Sequence, residues 1–356
     1  DNKSNMRAAI RTGLLGSTFS FISDNSYTKP AFDPSSNTNK KDVYIKLKAA
    51  GINPVDYKLP RFVAGQTIGI DFCGTIEALG SACDDSPFKV GDDVFGTSSS
   101  GSLAEYCIAN VDKIAKVPKG TSEDDGKSWT SLECAALPVA YMSALQSLRI
   151  GKITPMSSDG DGDGNQELNA KKSVLIIGAS GGCGIAGIQL CKAMKVGRIV
   201  AICSSRNIDF VKELGATEVV DYTKKDELEG FFHLNKDKFD CVYDAATSSG
   251  GGEDYWSISQ DLLKKNDDGE CCGEYVALNG PAGKWMRAFS GTQKAHQSIM
   301  MMKSNRADLE LITSLMDKVN ERPILKIVPF SETGLKDAFE LLKSRRTRGK
   351  IVFDIA

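Results

Sequence analysis

The chain has 356 residues, with 44 lysines and arginines against 46 aspartates and glutamates, so its formal net charge at pH 7 is −2. This length predicts two domains. The small net charge argues against a general electrostatic attraction to nucleic acid or anionic membranes, and no apolar run reaches the roughly 20 residues that a membrane span needs.

Ten cysteines and two histidines bear on the compartment and on metal binding. The cysteines are scattered, and several, such as Cys107 and Cys191, lie in apolar runs, which is typical of reduced, buried thiols. Two histidines leave few ligands for zinc. Because the first residues carry no apolar signal core, we expect a protein that is not secreted. It would be cytoplasmic, or would lie in a mitochondrion or chloroplast after removal of a transit peptide.

The first third of the chain is predicted to be rich in β-structure. Residues 43–50 alternate apolar and polar side chains, as a half-buried strand does. Further strand regions are predicted at 69–80, 89–96 and 102–108, where glycines indicate turns, bulges or close approaches. From about Ser131 the apolar spacing becomes helical.

Residues 173–184 read Ser-Val-Leu-Ile-Ile-Gly-Ala-Ser-Gly-Gly-Cys-Gly, and helical apolar spacing follows. Strand, glycine turn and helix begin a dinucleotide-binding βαβ unit, because glycine lets the backbone approach a pyrophosphate that the helix N-terminus binds. The alternative is an ordinary turn between a strand and a helix. The residues predicted to contact the pyrophosphate are Ser180, Gly181, Gly182, Cys183 and Gly184.

Short apolar runs and helical patterns alternate after residue 172, as in a doubly wound parallel sheet. The predicted strands are 174–177, 198–203, 218–220, 239–243 and 274–278. The preceding segment, 156–167, is polar, rich in glycine and without periodicity, so we expect a surface loop there.

The end of the second of these strands indicates which dinucleotide binds. An NAD site usually has an acidic residue about 20 positions after the glycine motif, but residues 203–207 read Cys-Ser-Ser-Arg-Asn. The hydroxyl of Ser204 and the guanidinium of Arg206 suit a 2′-phosphate, so we predict NADPH rather than NADH. Alternatively, Arg206 is a solvated residue at the start of the next helix.

The tail of the chain also alternates helix and strand. Its predicted elements are a helix at 308–316, a strand at 324–328, a helix at 335–343 and a strand at 350–353. We expect this tail to pack on the N-terminal region. One domain would then consist of residues 1–139 and 304–356, with a dinucleotide-binding domain of residues 140–303 inserted into it and the active site in the cleft between them.

These motifs resemble the medium-chain dehydrogenase/reductase superfamily, specifically its zinc-free, zeta-crystallin-like quinone oxidoreductase branch and, within it, organellar quinone oxidoreductase homologues. The resemblance implies a Rossmann doubly wound parallel sheet inserted into a GroES-like β-rich domain, usually in a homodimer. It rests on Ala-Ala-Gly-Ile-Asn-Pro-Val-Asp-Tyr at 49–57, residues 69–80, Gly-Asp-Asp-Val at 91–94, Leu-Pro at 137–138, residues 178–184, Leu-Gly-Ala at 214–216, Val-Asp-Tyr at 220–222 and Arg-Gly-Lys-Ile-Val at 348–352.

The chain departs from the zinc alcohol dehydrogenases of that superfamily. Asn53 stands where those enzymes carry a cysteine ligand, and Gly69-Ile70-Asp71 stands in place of Gly-His-Glu. Because a catalytic zinc needs about three protein ligands, the resemblance implies hydride transfer without a metal. This favours substrates that accept hydride readily, such as quinones and α,β-unsaturated carbonyls, over the alcohol substrates of the zinc enzymes.

The resemblance also implies three catalytic candidates at the nicotinamide end of the cleft. Asn53 would hydrogen-bond the cofactor ribose or the acceptor oxygen, Asp56 would orient a water or hydroxyl, and Tyr57 is the phenol nearest to a proton-donating position. The alternative is structural: an Asn-Pro turn in which Asp56 caps the next turn.

The remaining cofactor contacts come from the same resemblance. Tyr222 would stack on or hydrogen-bond the adenosine end, and Leu278 and Asn279, after the last Rossmann strand, would lie beside the nicotinamide. Lys350 would reach the cofactor, unless it is a solvated charge in a basic run.

Three functions remain open on the sequence alone. The first is reduction of a quinone by NADPH, and the second is reduction of an enone or enal on the same scaffold. The third is a non-catalytic, NADPH-binding interaction protein. An isoelectric point of 5.9 and the lack of a basic stripe argue against RNA as a partner, and at most peripheral membrane contact is expected.

Overall fold

The computed structural model describes residues 5–12, 18–58, 65–119, 128–155, 168–246 and 255–356. The loop predicted at 156–167 lies outside these described residues. The chain divides into two compact units. The first unit comprises Asp1–Ala140, Ser304–Thr313 and Arg322–Ala356, and the second comprises Tyr141–Lys303 and Ser314–Glu321.

The first unit is built on β-structure. A small antiparallel pair is formed by β1 (Asn5–Thr12) and β2 (Thr18–Thr28). A larger sheet contains β3 (Asp42–Ile52), β4 (Asp71–Leu79), β5 (Asp93–Thr97), β6 (Tyr106–Asn110), β7 (Ile114–Lys116), β14 (Leu325–Pro329) and β15 (Lys350–Asp354). Its order is β14-β15-β3-β4-β5-β7, with β6 also paired to β3. The C-terminal strand β15 therefore lies directly beside β3, at the sequence expected to carry the catalytic residues.

The helices of this region are α1 (Pro54–Lys58), α2 (Ser131–Ala136), α9 (Arg306–Lys318) and α10 (Glu332–Lys343). Helix α2 begins with a capping box: Glu133 N–H donates to Thr130 Oγ1, and Thr130 N–H donates to Glu133 Oε2. The helix then crosses β3 closely, since a Cβ at Gly51 would lie 2.4 Å from the carbonyl oxygen of Ala135. Only glycine admits this approach.

The predicted strand at 102–108 is shorter in the structure, where β6 begins at Tyr106. Gly101 has φ +94°, and the N–H groups of Ser102 and Leu103 both donate to the carbonyl of Ile68. The backbone of 102–103 is therefore bonded to another segment before the strand starts.

The second unit contains a six-stranded parallel sheet. Its strands are β8 (Ser173–Ile177), β9 (Arg198–Cys203), β10 (Glu218–Asp221), β11 (Cys241–Asp244), β12 (Glu274–Ala277) and β13 (Gln297–Ile299). Their spatial order is β10-β9-β8-β11-β12-β13, the order of a doubly wound dinucleotide-binding fold. Successive strands are added on one side of β8 up to β10 and on its other side from β11 onward, and ligands of such sheets bind at the carboxyl ends of the strands beside that switch point.

The helices of this region are α3 (Pro138–Ile150), α4 (Gly182–Ala193), α5 (Ile208–Glu213), α6 (Lys225–Leu234), α7 (Trp256–Leu262) and α8 (Ala282–Phe289). Leu175, Val200 and Tyr275 are among the fully buried residues that fill the core of this unit. The strand predicted at 239–243 begins at Cys241, because Phe239 forms an isolated bridge with Leu263 instead. None of the helices in the described ranges is long and apolar enough to cross a membrane.

Candidate active site

The glycine turn after β8 is the first part of the site. Gly178 has φ +74°, in the left-handed region that favours glycine, and its carbonyl accepts the N–H of Gly181 at 3.1 Å. Gly181 is the N-cap of α4, and no side chain caps that end of the helix. The first-turn N–H groups of a helix have no partner within the helix, so this turn offers donors and a positive dipole end to an anion.

The glycines of this turn have different steric surroundings. A Cβ at Gly184 would lie 2.3 Å from the Gly178 carbonyl oxygen and 2.6 Å from the Ala179 Cα, both backbone atoms. A Cβ at Gly181 would meet nothing closer than the same oxygen at 3.5 Å. Gly184 is therefore needed for packing of the helix on the strand end, whereas Gly181 leaves free space on the face where a pyrophosphate would approach.

Asn207 joins two of the predicted cofactor residues. Its Nδ2 donates to Ser180 Oγ at 2.9 Å and to Ser204 Oγ at 3.3 Å, and the residue is only 6% exposed. It ends the 3-10 turn Ser205–Asn207. Asn207 was not among the residues predicted to bind the cofactor. A small polar residue directly after the Ser-Ser-Arg run is the signal that would have indicated such a role.

The predicted adenosine-end residues lie at the carboxyl ends of two neighbouring strands. Ser204 and Arg206 follow β9, with Ser204 buried and Arg206 exposed. Tyr222 follows β10, where its N–H donates to the carbonyl of Cys203 at 3.1 Å and its side chain is 42% exposed. The structure therefore brings these three side chains to one edge of the sheet.

A carboxylate lies at the same edge. Asp221 pairs in register with Cys203 and is 3% exposed, and its Oδ1 accepts the N–H of Thr223 at 3.0 Å. Desolvation raises the pKa of this carboxyl, but the hydrogen bonds from Thr223, the charge of Lys224 and a backbone hydrogen bond from Ser205 together hold the pKa below its ordinary value. Asp221 ends β10, whereas the acidic residue of an NAD site is expected at the end of the preceding strand β9, so the motif spacing does not indicate it.

Leu278 and Asn279 directly follow β12. Leu278 N–H donates to the Asp244 carbonyl at 2.9 Å, and Asn279 Oδ1 accepts from Trp285 Nε1 at 3.0 Å. Asp244 itself is fully buried at the end of β11. Both predicted nicotinamide-end residues therefore occupy the carboxyl-terminal edge that also carries the glycine turn.

The three catalytic candidates lie in the first unit, at and beside α1. Asn53 N–H donates to Asp56 Oδ2 at 2.7 Å, and Asp56 N–H returns a bond to the Asn53 carbonyl at 3.0 Å. The side-chain bond caps the start of α1, and it engages one oxygen of the Asp56 carboxylate. Tyr57 is half-buried, and desolvation raises the pKa of its phenol although the charge of Arg345 opposes this.

Lys350 lies in a buried polar cluster with Asn53 and Asp71. Its Nζ donates to the Ile52 carbonyl at 3.1 Å, to Asp71 Oδ2 at 3.1 Å and to Asn53 Oδ1. Asn53 Nδ2 donates to Asp71 Oδ2 at 2.9 Å, and Asp71 Oδ1 accepts the N–H of Val139 at 3.0 Å. Lys350 is 5% and Asp71 0% exposed. Desolvation raises the pKa of Asp71, and the ammonium of Lys350 opposes that shift.

Two family models match the chain. The alcohol dehydrogenase GroES-like domain matches residues 39–119, and the zinc-binding dehydrogenase model matches residues 214–353.

Curated relatives and solved structures extend this similarity over most of the chain. A 2-methylene-furan-3-one reductase of Solanum lycopersicum is 30% identical over 328 residues, which cover 87% of this chain and 71% of the relative. A chloroplast envelope quinone oxidoreductase homolog of Arabidopsis thaliana is 28% identical over 91% of this chain and 92% of the relative. The structure of the quinone oxidoreductase from Coxiella burnetii superposes with a TM-score of 0.72 at 25% identity, covering 99% of this chain and all of that chain.

The name of the second family model raises the question of zinc, so the available donor residues matter. Across the described ranges, no group of three or more His, Cys, Asp and Glu side chains is placed to hold a metal ion. At the positions where the zinc enzymes carry ligands, the structure has the amide of Asn53 and the apolar Ile70, and Asp71 is already bound by an ammonium. These residues do not fit a catalytic zinc.

Proposed function

The chain belongs to the medium-chain dehydrogenase/reductase superfamily and is an oxidoreductase, and from that premise we propose that it transfers hydride from NADPH to a quinone without a metal ion. The observation that carries the proposal is the glycine turn without a side-chain cap, at the point where the strand order of the parallel sheet switches from one side of β8 to the other. There, backbone donors and the residues after β9, β10 and β12 share one edge.

Each group at this edge has a part in binding the cofactor. The turn of residues 180–184, which comprises Ser180, Gly181, Gly182, Cys183 and Gly184, binds the pyrophosphate, and the N–H groups of the first helical turn, from Gly182 onward, are the donors. Ser204 and Arg206 bind the adenosine phosphate, with Tyr222 beside them. Leu278 and Asn279 flank the nicotinamide, which supplies the hydride when bound.

The preference for NADPH depends on charge at the adenosine end. The guanidinium of Arg206 favours a 2′-phosphate, whereas the carboxylate of Asp221 would repel it or accept a hydrogen bond from a ribose 2′-hydroxyl. We assign the larger effect to Arg206, since its side chain is exposed, while Thr223 already bonds one oxygen of Asp221. An enzyme that prefers NADH would reverse this assignment.

Among the catalytic candidates, we assign contact with the reacting groups to Asn53. The carboxylate of Asp56 is held by the cap of α1, so it supports the turn that presents Asn53. Tyr57 remains a candidate proton donor, although reduction of a quinone needs no protein acid because solvent can protonate the product. No zinc is needed for this step, since quinones and enones accept hydride without a Lewis acid.

Reduction of an enone or enal is the second candidate activity. It is favoured by the similarity to a 2-methylene-furan-3-one reductase, which at 30% identity covers most of both chains. Residues that shape an acceptor pocket differ between such activities more readily than the cofactor turn does. The quinone and enone reactions therefore share every cofactor residue proposed above.

One assay distinguishes these functions. NADPH oxidation is followed against a panel of quinones and α,β-unsaturated carbonyls, with NADH in a parallel series and with a chelator added to one set. Turnover of quinones at a kcat/KM above that of the enones, insensitive to the chelator, supports the proposal. Turnover of enones alone supports the second candidate, and turnover of neither supports a non-catalytic interaction protein.

Assembly and location complete the proposal. We propose a homodimer, which sedimentation or light scattering at assay concentrations tests directly. We also propose a cytoplasmic or organellar location with at most peripheral membrane contact, which fractionation of cells that express the native gene would test.

A further inference from the structure

The buried ammonium of Lys350 has no hydrogen left to give. A lysine ammonium has three donors, and all three are used, by the carbonyl of Ile52, the carboxylate of Asp71 and the amide oxygen of Asn53. A direct contact with a cofactor, or proton donation to a product, would require one of these buried bonds to break. Lys350 therefore acts through the residues that its ammonium holds by hydrogen bonds.

Its effect on Asn53 follows from the two ends of the carboxamide. Lys350 bonds the oxygen Oδ1, while Asp71 accepts from the nitrogen Nδ2. A rotation of the amide by 180° would turn N–H groups toward the ammonium and the oxygen toward the carboxylate, so both partners oppose it. Since the amide nitrogen carries two hydrogens and Asp71 takes one, a single N–H of Asn53 remains, in a fixed direction.

Stability alone is a poor reason for such a cluster. A buried ion pair is often replaced by apolar residues of similar volume without loss of stability, because desolvation of the two charges cancels much of their attraction. Lys350 and Asp71 are both nearly inaccessible, so they are in this class. What both charges do share is a direct hydrogen bond to the carboxamide of Asn53.

We propose that Lys350 and Asp71 are positioning residues that lock the carboxamide of Asn53 and present its remaining N–H to the acceptor or to the cofactor ribose. The inference rests on the proposed function, because it takes Asn53 as the group that contacts the reacting molecules. It assigns to Asp71 a role that the sequence did not indicate, and it makes the role of Lys350 indirect.

A double-mutant cycle tests the proposal. The variants are Lys350→Met, Asn53→Ala and the combination of both, assayed for kcat, for KM and for NADPH affinity by fluorescence titration. Misplacement of a positioned group by about 1 Å costs on the order of 100-fold in rate, so Lys350→Met should lower kcat at least tenfold while NADPH affinity changes much less. In the Asn53→Ala background, the same substitution should have little further effect.

A second variant distinguishes loss of catalysis from loss of the folded structure. Lys350→Met alone leaves the Asp71 carboxylate buried without its partner, which is strongly destabilising in many proteins. The double variant Lys350→Met with Asp71→Leu removes both charges, and circular dichroism with thermal unfolding reports whether it is folded. A folded double variant with a low kcat supports positioning, whereas one with the wild-type kcat overturns it.

Lys48 provides a matched control in the same sheet. Its ammonium pairs with Asp93 Oδ1 at 2.7 Å, and both side chains are about two-fifths exposed, at 39% and 41%. Lys48→Met makes the same chemical change and should leave kcat unaltered. If Lys350→Met lowers kcat equally with and without Asn53, this inference alone is wrong. If the wild-type protein turns over no acceptor, the proposed function fails and the inference with it.

Discussion

Substitution of the two glycines of the cofactor turn by alanine should separate folding from binding. At Gly184 the new Cβ would lie 2.3 Å from the Gly178 carbonyl oxygen, where ordinary contacts begin at 3.4 Å, so backbone must move by about 1 Å. At Gly181 the nearest atom is 3.5 Å away, and the backbone φ of −83° accommodates alanine. The same added methyl group therefore meets crowded backbone at one position and open space at the other.

The expected size of each effect follows from these distances. Overpacking against well-packed atoms costs about 1–3 kcal/mol, and the upper end applies to Gly184 because the obstructing atoms are backbone. The better helix propensity of alanine returns up to ~1 kcal/mol, which leaves a net loss of about 2 kcal/mol. At roughly 2–4 °C per kcal/mol, the melting temperature should fall by about 4–8 °C. Gly181→Ala should change stability by less than ~0.5 kcal/mol.

For NADPH affinity the order of the two variants should be reversed, with the larger loss in Gly181→Ala. The methyl group at position 181 would occupy the space proposed for the pyrophosphate, so the Kd for NADPH should rise at least about tenfold, or ~1.4 kcal/mol. Thermal unfolding by circular dichroism and NADPH titration by fluorescence are the two assays. An unchanged melting temperature for Gly184→Ala, or wild-type NADPH affinity for a folded Gly181→Ala, would refute the steric reasoning.

Three further predictions concern charge, thiols and pH. Arg206→Ala should lower the ratio of kcat/KM for NADPH over NADH about tenfold, and an unchanged ratio would show that another group selects the phosphate. Saturating NADPH should slow alkylation of the partly exposed Cys183 but not of Cys271, as peptide mass spectrometry would report; equal labelling of Cys183 with and without NADPH would contradict the proposed cofactor site. Arg198 lowers the pKa of Glu218 through two hydrogen bonds. The ionised Glu218 therefore stabilises the folded state above its unfolded pKa of 4.5, and this contribution is lost as the pH falls through the folded-state pKa. Because that carboxylate is 47% exposed, Glu218→Gln should cost only ~0.5 kcal/mol at pH 7, and the unfolding curves of the two proteins should converge in acid.

Much of the fold was predictable because its signals are local. The second Rossmann strand was predicted at 198–203 and is found at Arg198–Cys203, and the helix predicted at 308–316 extends to Arg306–Lys318. Two elements lacked such a signal. In β1 the register shifts between Met6 and Ala8, which breaks the alternation of buried and exposed residues, and β13 has only three residues, too few for any periodicity.

The polar cluster around Asn53 was not predictable in the same way. Asp71 and Lys350 are 279 positions apart, and only the pairing of β15 and β4 with β3 brings them together. The sequence placed both residues in family motifs, yet no local pattern indicates that one neutralises the other. The contact of Asn207 with Ser204 could have been predicted from the sequence, because the two residues are only three positions apart.

The position of β15 has a consequence for how the protein forms during synthesis. This strand is inserted between β14 and β3, so the sheet of the first unit stays split until residues 350–354 have left the ribosome. The six parallel strands of the second unit are all made earlier and pair only with one another. The parallel sheet can therefore be completed before residues 350–354 are made, and the amide of Asn53 gains its ammonium partner only after β15 has been made. A chain truncated before residue 350 should still bind nucleotide, but it would lack the buried charge that orients this amide.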